Sequence, residues 1–486
     1  MSPCLRDFAR YGGSSEMRTS IIIISVPYVR EGYLCGGKRC DWVPANAYAD
    51  YFCSVFKPEY DSNDAVEFNS FGDFFGIDTV TYDDVVMAVK ELKSTSTIGI
   101  DNIPPLIIKG CAEFLVYPLL ALFSLSLRTN TFPHDWKLTK IVPVLKKGNA
   151  EECKNYRPIA ILSPLSKSFE IIIHRKLNTQ VKYVISSAQH GFMTKRSTST
   201  NLLCLTDKVI SAFEDNCQLD VIYTDFSKAF DLIDFGILMK KLRTIGFHVN
   251  LAQCLFSYLS NRTLYVYFNN VVSDSFSNTS VVPQGSILGP LVFILFINDL
   301  CGELCFSGCL LFADDLKFFR QKRFNADAAL LQNNLDNLYQ WCIVNKLLLN
   351  VEKCRILSFT RNSQLIFYSY QINGILLCRS RSVTDLGVTF DTRLDFTQYI
   401  DNIVSNAYTK LGFIKFNTSH FSGVLALKDL FFTIVRSGFE YCCLVWDPYN
   451  KIKIKIIEQV QKMFFALLIL LSKSLLSLRL ILVSFM

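Results

Sequence analysis

Two adjacent carboxylates, Asp314 and Asp315, interrupt the apolar run 310-LLFADDLKF-318. Apolar residues on both sides read as a short buried strand or hairpin, which places the acids at a tight turn on a hydrophobic support. Bare charge there is costly unless a cation neutralises it, and a divalent metal held by oxygen ligands does so. An ordinary acidic turn is the alternative for the pair alone. A third carboxylate tips the balance: in 219-LDVIYTDFSKAFD-231 a strand over Val221 to Tyr223 ends just before Asp225. Asp231 and Asp234 come next, near a helix start where capping is an acid's ordinary role. Neighbouring strands that bring Asp225 to the pair would form a cluster able to bind two magnesium ions, which suits phosphoryl transfer. No Ser-His-Asp arrangement is visible, so acyl transfer is disfavoured.

Phosphate chemistry also needs bases. Lys154 and Arg157 flank an apolar strand in 154-KNYRPIAIL-162, and arginine's planar fork suits phosphate, although such residues taken singly are usually surface charges. The loop 189-QHGFMTKRST-198 adds Lys195 and Arg196, and Arg262 opens the aromatic strand LYVYF. In 283-PQGSILGPLVFILFINDL-300 a constrained turn feeds an apolar helix, where Gln284 and the backbone of Gly285 could place a planar or nucleic-acid partner. Lys353 precedes a strand carrying Ile356, Leu357 and Phe359.

A chain of 486 residues can supply the scaffold as two or three packed units. Hydrophobic content of 50%, with 40 Phe, excludes wholesale disorder. The +7 balance suits a polyanionic partner without identifying one. Seventeen cysteines without CxxC spacing, and five histidines that do not join them, read as reduced thiols in an intracellular setting rather than a zinc site. The short run Ile21 to Val26 does not make a signal peptide. Residues 463–486 are almost wholly apolar apart from Lys473 and Arg479; a buried helix or poorly packed tail is favoured over membrane insertion.

Periodicity places helices over 45–56, 81–92, 106–127, 163 or 166 to 181, 200–214, 238–245, 251–259 and 334–341, with a helix-like FSKAFD after Asp225. Beyond Phe396 helices follow at 399–416, 425–439 and 457–470. That change from mixed α/β to helices marks the expected domain boundary.

FADD at 312–315, YTDFSKAFD at 223–231 and PQGSILGP at 283–290 resemble the reverse transcriptases of non-LTR (LINE-type, jockey-like) retrotransposons. IDNIPP, FPHDWKLTKIVPVLKKG, NYRPI, YLSNR, INDL and DLGVTFD extend the resemblance in order over roughly residues 45–465. It implies a right-hand polymerase fold: an irregular lead-in over 1–62, interleaved α/β fingers and palm over 63–390 with the palm core at 219–390, a helical thumb over 391–465, and an atypical tail over 466–486.

The resemblance also implies roles. Asp225, Asp314 and Asp315 would be catalytic, holding two Mg2+ ions (Mn2+ as a substitute) with the backbone carbonyl of Phe226. Phe230 would crowd the sugar 2′ position; Lys146, Arg157, Gln284, Gly285 and Lys353 would meet the nucleotide; Lys195, Arg196 and Arg262 would meet nucleic acid. The expected activity extends a DNA primer, or nicked target DNA, on an RNA template with dNTPs, in the nucleus and alongside an endonuclease. Val281, Cys354 and Ser437 depart from the family pattern without removing a ligand. The ending LLILLSKSLLSLRLILVSFM departs more, and suggests a fragment of an element; a catalytically inactive remnant that only binds nucleic acid is the alternative.

Overall fold

The computed structural model describes residues 34–35, 38–39, 43–56, 68, 72–95, 98–278, 280, 282–418 and 424–471. Most of the lead-in, Val281 and the tail over 472–486 lie outside the described residues.

The first helix, α1 (Val43–Phe56), packs Tyr48, Phe52 and Phe56 on a sheet built from β1 (Leu138–Leu145), β2 (Tyr156–Ile161) and β4 (Arg262–Phe268). β1 pairs antiparallel with β2 and parallel with β4. Between α1 and β1 lie α2 (Tyr82–Glu91), started by a Thr81–Asp84 capping box, and α3 (Ala112–Thr129). The expected 106–127 helix is thus split, with Pro105–Gly110 as a separate turn of helix. Among the described residues α3 is the one helix long and apolar enough to cross a membrane, although Val116, Leu119, Phe123 and Leu127 are part of the protein core.

Helix α4 (Pro164–Val181) is capped by Ser163, and α5 (Thr198–Glu214) by a Ser197–Thr200 box. A central sheet then forms from β3 (Gln218–Thr224), β5 (Gly308–Phe312), β6 (Asp315–Lys322), β7 (Arg355–Phe359) and β8 (Cys378–Ser380), in the order β8-β7-β3-β6-β5. Its ladders are antiparallel except β7 with β8. Helices α6 (Phe235–Ile245), α7 (Val249–Leu259), α8 (Gly289–Ile297) and α9 (Asn325–Val344) share one core.

Side-chain alternation explains why the sheet is buried on both faces. Ile222, Leu311, Phe318 and Ile356 point into the core of α4 and α6–α9. Their neighbours Val221, Leu310, Phe319 and Leu357 point into a second core, formed with α5 and with the helices after residue 396. Those include α10 (Thr397–Asn417) and α11 (Lys451–Leu471), which close on Trp446 and Phe464. A hairpin, β9 (Ser382–Asp385) and β10 (Val388–Asp391), joins sheet to helices. The result is one mixed α/β body in which the helical region and the central sheet share a core.

The segment FSKAFD departs from the helix expected of it: only Ala229–Asp231 makes a 3-10 turn, because Lys228 before it adopts φ +51°. Asp234 does cap α6, accepting from the Ile237 amide at 2.9 Å.

Candidate active site

The β5–β6 hairpin pairs Phe312 with Asp315, leaving Ala313 and Asp314 as a two-residue turn. On the other side β6 pairs with β3 up to Leu316–Thr224, so one further step of the same register sets Asp315 opposite Asp225. Directly opposed residues share a face of the sheet, so two strands distant in sequence deliver both carboxylates to one end and one side. Asp314 stands beside them on the turn.

The acids feel one another. Burial raises the Asp314 carboxyl, and the charge of Asp225 raises it further, while Lys146 and Arg157 pull it back. Asp315 keeps an exposed edge, yet the protein packed around it, and then the charges of Asp314, Asp385 and Asp225, push it up to about 6. Lys353 places Nζ 2.8 Å from Asp225 Oδ2. Lys146 and Arg157 come from the paired ends of β1 and β2; burial lowers the Lys146 ammonium, and the charges of Arg157 and Lys353 lower it further. Three acids and three bases expected of one site are therefore electrostatic neighbours.

Backbone bonds fix this arrangement. The Asn350 amide donates to Asp225 O at 2.8 Å and the Ser227 amide to Leu348 O at 2.8 Å, running Phe226 beside Leu349. A cavity of about 240 Å³ opens next to the acids, lined by Asp225, Asp315, Lys353, Arg355, Thr384 and Asp385. A larger one, of about 480 Å³, lies away from them between α6 and α9.

The turn before α8 is stitched to the same centre. The Ala160 amide donates to Gln284 O at 2.7 Å, and Gly285 has φ +113° with Ala160 O only 2.8 Å from where a Cβ would stand. Any side chain there would force β2 away. Gln284 Nε2 donates to Asp231 Oδ1 at 2.8 Å. Asp231, whose carboxyl burial pushes up to about 6, is therefore no helix cap but the tether of that turn. Phe230 stacks on Phe293 of α8, with centroids 4.2 Å apart. Behind the turn, buried Glu170 accepts from the Ile287 amide at 2.8 Å.

Two of the bases expected to meet nucleic acid are used otherwise. Arg262 is completely buried; its guanidinium donates to Tyr258 O at 2.7 Å, Trp136 O at 3.3 Å and Thr139 Oγ1 at 3.4 Å. The expectation that it meets nucleic acid is corrected: it is completely buried, and its donors hold the junction of α7, β1 and β4. Replacing Arg262 by Met should lower the thermal midpoint by several degrees while leaving the salt slope of nucleic-acid binding unchanged, since no phosphate contact is lost. Arg196 Nη1 donates to Ser187 O at 2.5 Å and Gln189 O at 2.6 Å, bracing its own loop. Lys195 beside it remains exposed.

Sequence reasoning missed Asp231, Glu170, Gln189 and the buried Lys317–Asp385 pair; only the position of Lys317, two residues beyond Asp315 and so on its face, hinted at the last. Among the described residues no group of three or more His, Cys, Asp or Glu stands ready-made as a metal cage. The three acids that converge are carboxylates, the chemistry a hard divalent cation takes, and the neighbouring acids raise Asp314 and Asp315.

The model of the reverse transcriptase (RNA-dependent DNA polymerase) family matches residues 144–390, about half of the chain. The probable RNA-directed DNA polymerase from transposon BS of Drosophila melanogaster is 28% identical over 78% of this chain and 44% of its own length. That from transposon X-element of the same organism is 26% identical over 75% and 41%, and that from mobile element jockey 27% over 69% and 38%. This chain thus spans less than half the length of these relatives. A solved apo telomerase from Candida Tropicalis overlaps 54% of this chain and 55% of its own at 13% identity and a TM-score of 0.39, too loosely to inform the fold. With its acids and bases converging inside the matched segment, the chain belongs to the reverse transcriptase family, among relatives from non-LTR retrotransposons.

Proposed function

We propose that the protein is an RNA-directed DNA polymerase that extends a DNA primer on an RNA template from dNTPs. The convergence of Asp225, Asp314 and Asp315 at one end of the central sheet, faced by Lys146, Arg157 and Lys353, carries this reading. On it, the central sheet is the palm, the β1–β2–β4 sheet and helices α2–α4 belong to the fingers, and α10 and α11 form the thumb.

Asp225, Asp314 and Asp315, with the Phe226 carbonyl, would hold two Mg2+ ions. When bound, these supply Lewis acidity that makes the primer hydroxyl a better nucleophile and offsets charge on the phosphates. Lys146 and Arg157 bind the triphosphate, Arg157 through its fork. Lys353 keeps a positive charge at Asp225 and within reach of the leaving group. Phe230, fixed on Phe293, crowds the position of a 2′-hydroxyl and so favours dNTPs. Gln284 and Gly285 seat the nucleotide and template against α8. Partners follow from this reading: RNA template, DNA primer or nicked target DNA, and an endonuclease acting with it, in the nucleus.

The test is magnesium-dependent extension of a DNA primer on a defined RNA template across pH. Asp315 binds metal only when ionised, and burial with the neighbouring acids pushes its carboxyl up to about 6. At low magnesium the rate should rise with pH up to that point and level off above it, and excess magnesium should restore part of the loss on the acid side by displacing the proton. No extension by a folded chain that binds primer–template would favour the alternative, a remnant that only binds nucleic acid.

A further inference from the structure

The loop 188–191 packs on the hairpin that carries the acids. It runs along β5: the Leu311 amide donates to Ala188 O at 2.9 Å and the His190 amide to Leu311 O at 2.8 Å. Asn201, fully buried on α5, adds Nδ2 to the same Leu311 carbonyl at 3.0 Å. Gly191 presses against the hairpin turn so closely that a Cβ would stand 2.3 Å from the Ala313 nitrogen.

Ala313 itself has φ +55°, a conformation that L-residues with a Cβ avoid, yet it is the residue from which Asp314 and Asp315 hang. Such a conformation persists only where the surroundings over-determine it. The group that does so is Gln189, only 2% exposed, whose Oε1 accepts from the Ala313 amide at 3.0 Å and from the Gly191 amide at 2.8 Å. Both groups facing it are N–H donors, so the oxygen must point to them. The amide nitrogen of Gln189 has no partner among the described residues, a burial cost that an apolar side chain would avoid. Arg196 grips the Gln189 carbonyl from outside and so braces the clamp.

We propose that Gln189 is a positioning residue of the catalytic hairpin: its side-chain oxygen holds Ala313 in the left-handed conformation and thereby sets where Asp314 and Asp315 stand. The proposal rests on the polymerase reading for its effect on rate, but the clamp itself does not.

Two substitutions separate these. Gln189→Leu removes the acceptor at similar volume, and Ala313→Gly removes the backbone penalty of the turn. Gln189→Leu should speed hydrogen exchange at the Ala313 amide by about tenfold, the loss of one buried hydrogen bond, with the rest of the central sheet unchanged. Gln189→Glu, which keeps an acceptor at the same reach, should retain the protection and guards against a leucine variant that folds poorly. In single-nucleotide extension Gln189→Leu should lower kcat by about 10²-fold with primer–template affinity unchanged, as a displaced catalytic group does. Adding Ala313→Gly to Gln189→Leu should return kcat to within about threefold of Ala313→Gly alone, since the residue being held no longer resists. Unchanged exchange at Ala313 in Gln189→Leu would overturn the clamp. Lost kcat that Ala313→Gly does not restore would overturn its link to the acids. A native chain that never extends a primer would remove the polymerase reading instead, and the exchange comparison would still decide the clamp.

Discussion

On the polymerase reading, Asp225→Ala and Asp314→Ala should each lower primer extension by on the order of 10³-fold, the loss expected when a preorganised charge-stabilising group is deleted from an enclosed site. The variants should nonetheless remain folded and bind primer–template. Their stability makes the result diagnostic. Burial and the neighbouring charge of Asp225 push the Asp314 carboxyl up, so holding charge there costs the metal-free fold stability. Removing it should leave the thermal midpoint unchanged or raise it, the usual trade between stability and a charged active site. Extension assays paired with thermal melts without metal check both halves. A variant that loses activity together with its fold would not support the assignment, whereas one that melts later and does no chemistry would.

The second large effect concerns Lys317 and Asp385, an ion pair buried between β6 and β9. Burial pulls the ammonium down and the carboxyl up, and each is the other's main opposing influence. Lys317→Ala or Asp385→Ala strands a charge in the interior and should cost about 3–5 kcal/mol, read as a fall in denaturation midpoint. The double variant Lys317→Met, Asp385→Leu should recover most of it, because paired apolar residues avoid the desolvation cost. Lys317 also lowers the carboxyl of Asp315. Asp385 raises it by more, so the double variant, which removes both, should need no more magnesium and no higher pH than the native chain for the same extension rate.

The acids and most element ends could be read from the sequence because each depends on a local signal. Thr81 and Ser163 are cap residues at the helix starts expected of them, and Gly246 adopts φ +102° at the end of α6. Asp225 and the Asp314–Asp315 pair stood out because charge at the end of an apolar strand has no ordinary use. What stayed hidden depends on register across long separations. Arg262 reads as a surface base until α7, β1 and β4 close around it, and Asp231 reads as a cap until the turn carrying Gln284 arrives some fifty residues later. Lys317 and Asp385 find each other only when the β9–β10 hairpin folds back on β6. The change from mixed α/β to helices beyond Phe396 was legible as a change of period. The shared core was not, because it consists of alternate residues of strands that also face another core.

That shared core has a consequence for how the chain is made. Val221, Phe319, Leu357 and Phe359 are covered by Ile400, Trp446 and Phe464, which leave the ribosome well after the last strand of the sheet. At roughly 5–20 residues per second, the 80 residues from 392 to 471 take roughly 4–16 s to synthesise. Through that interval the part of that face not covered by α5 stays open, and only the final helices close it.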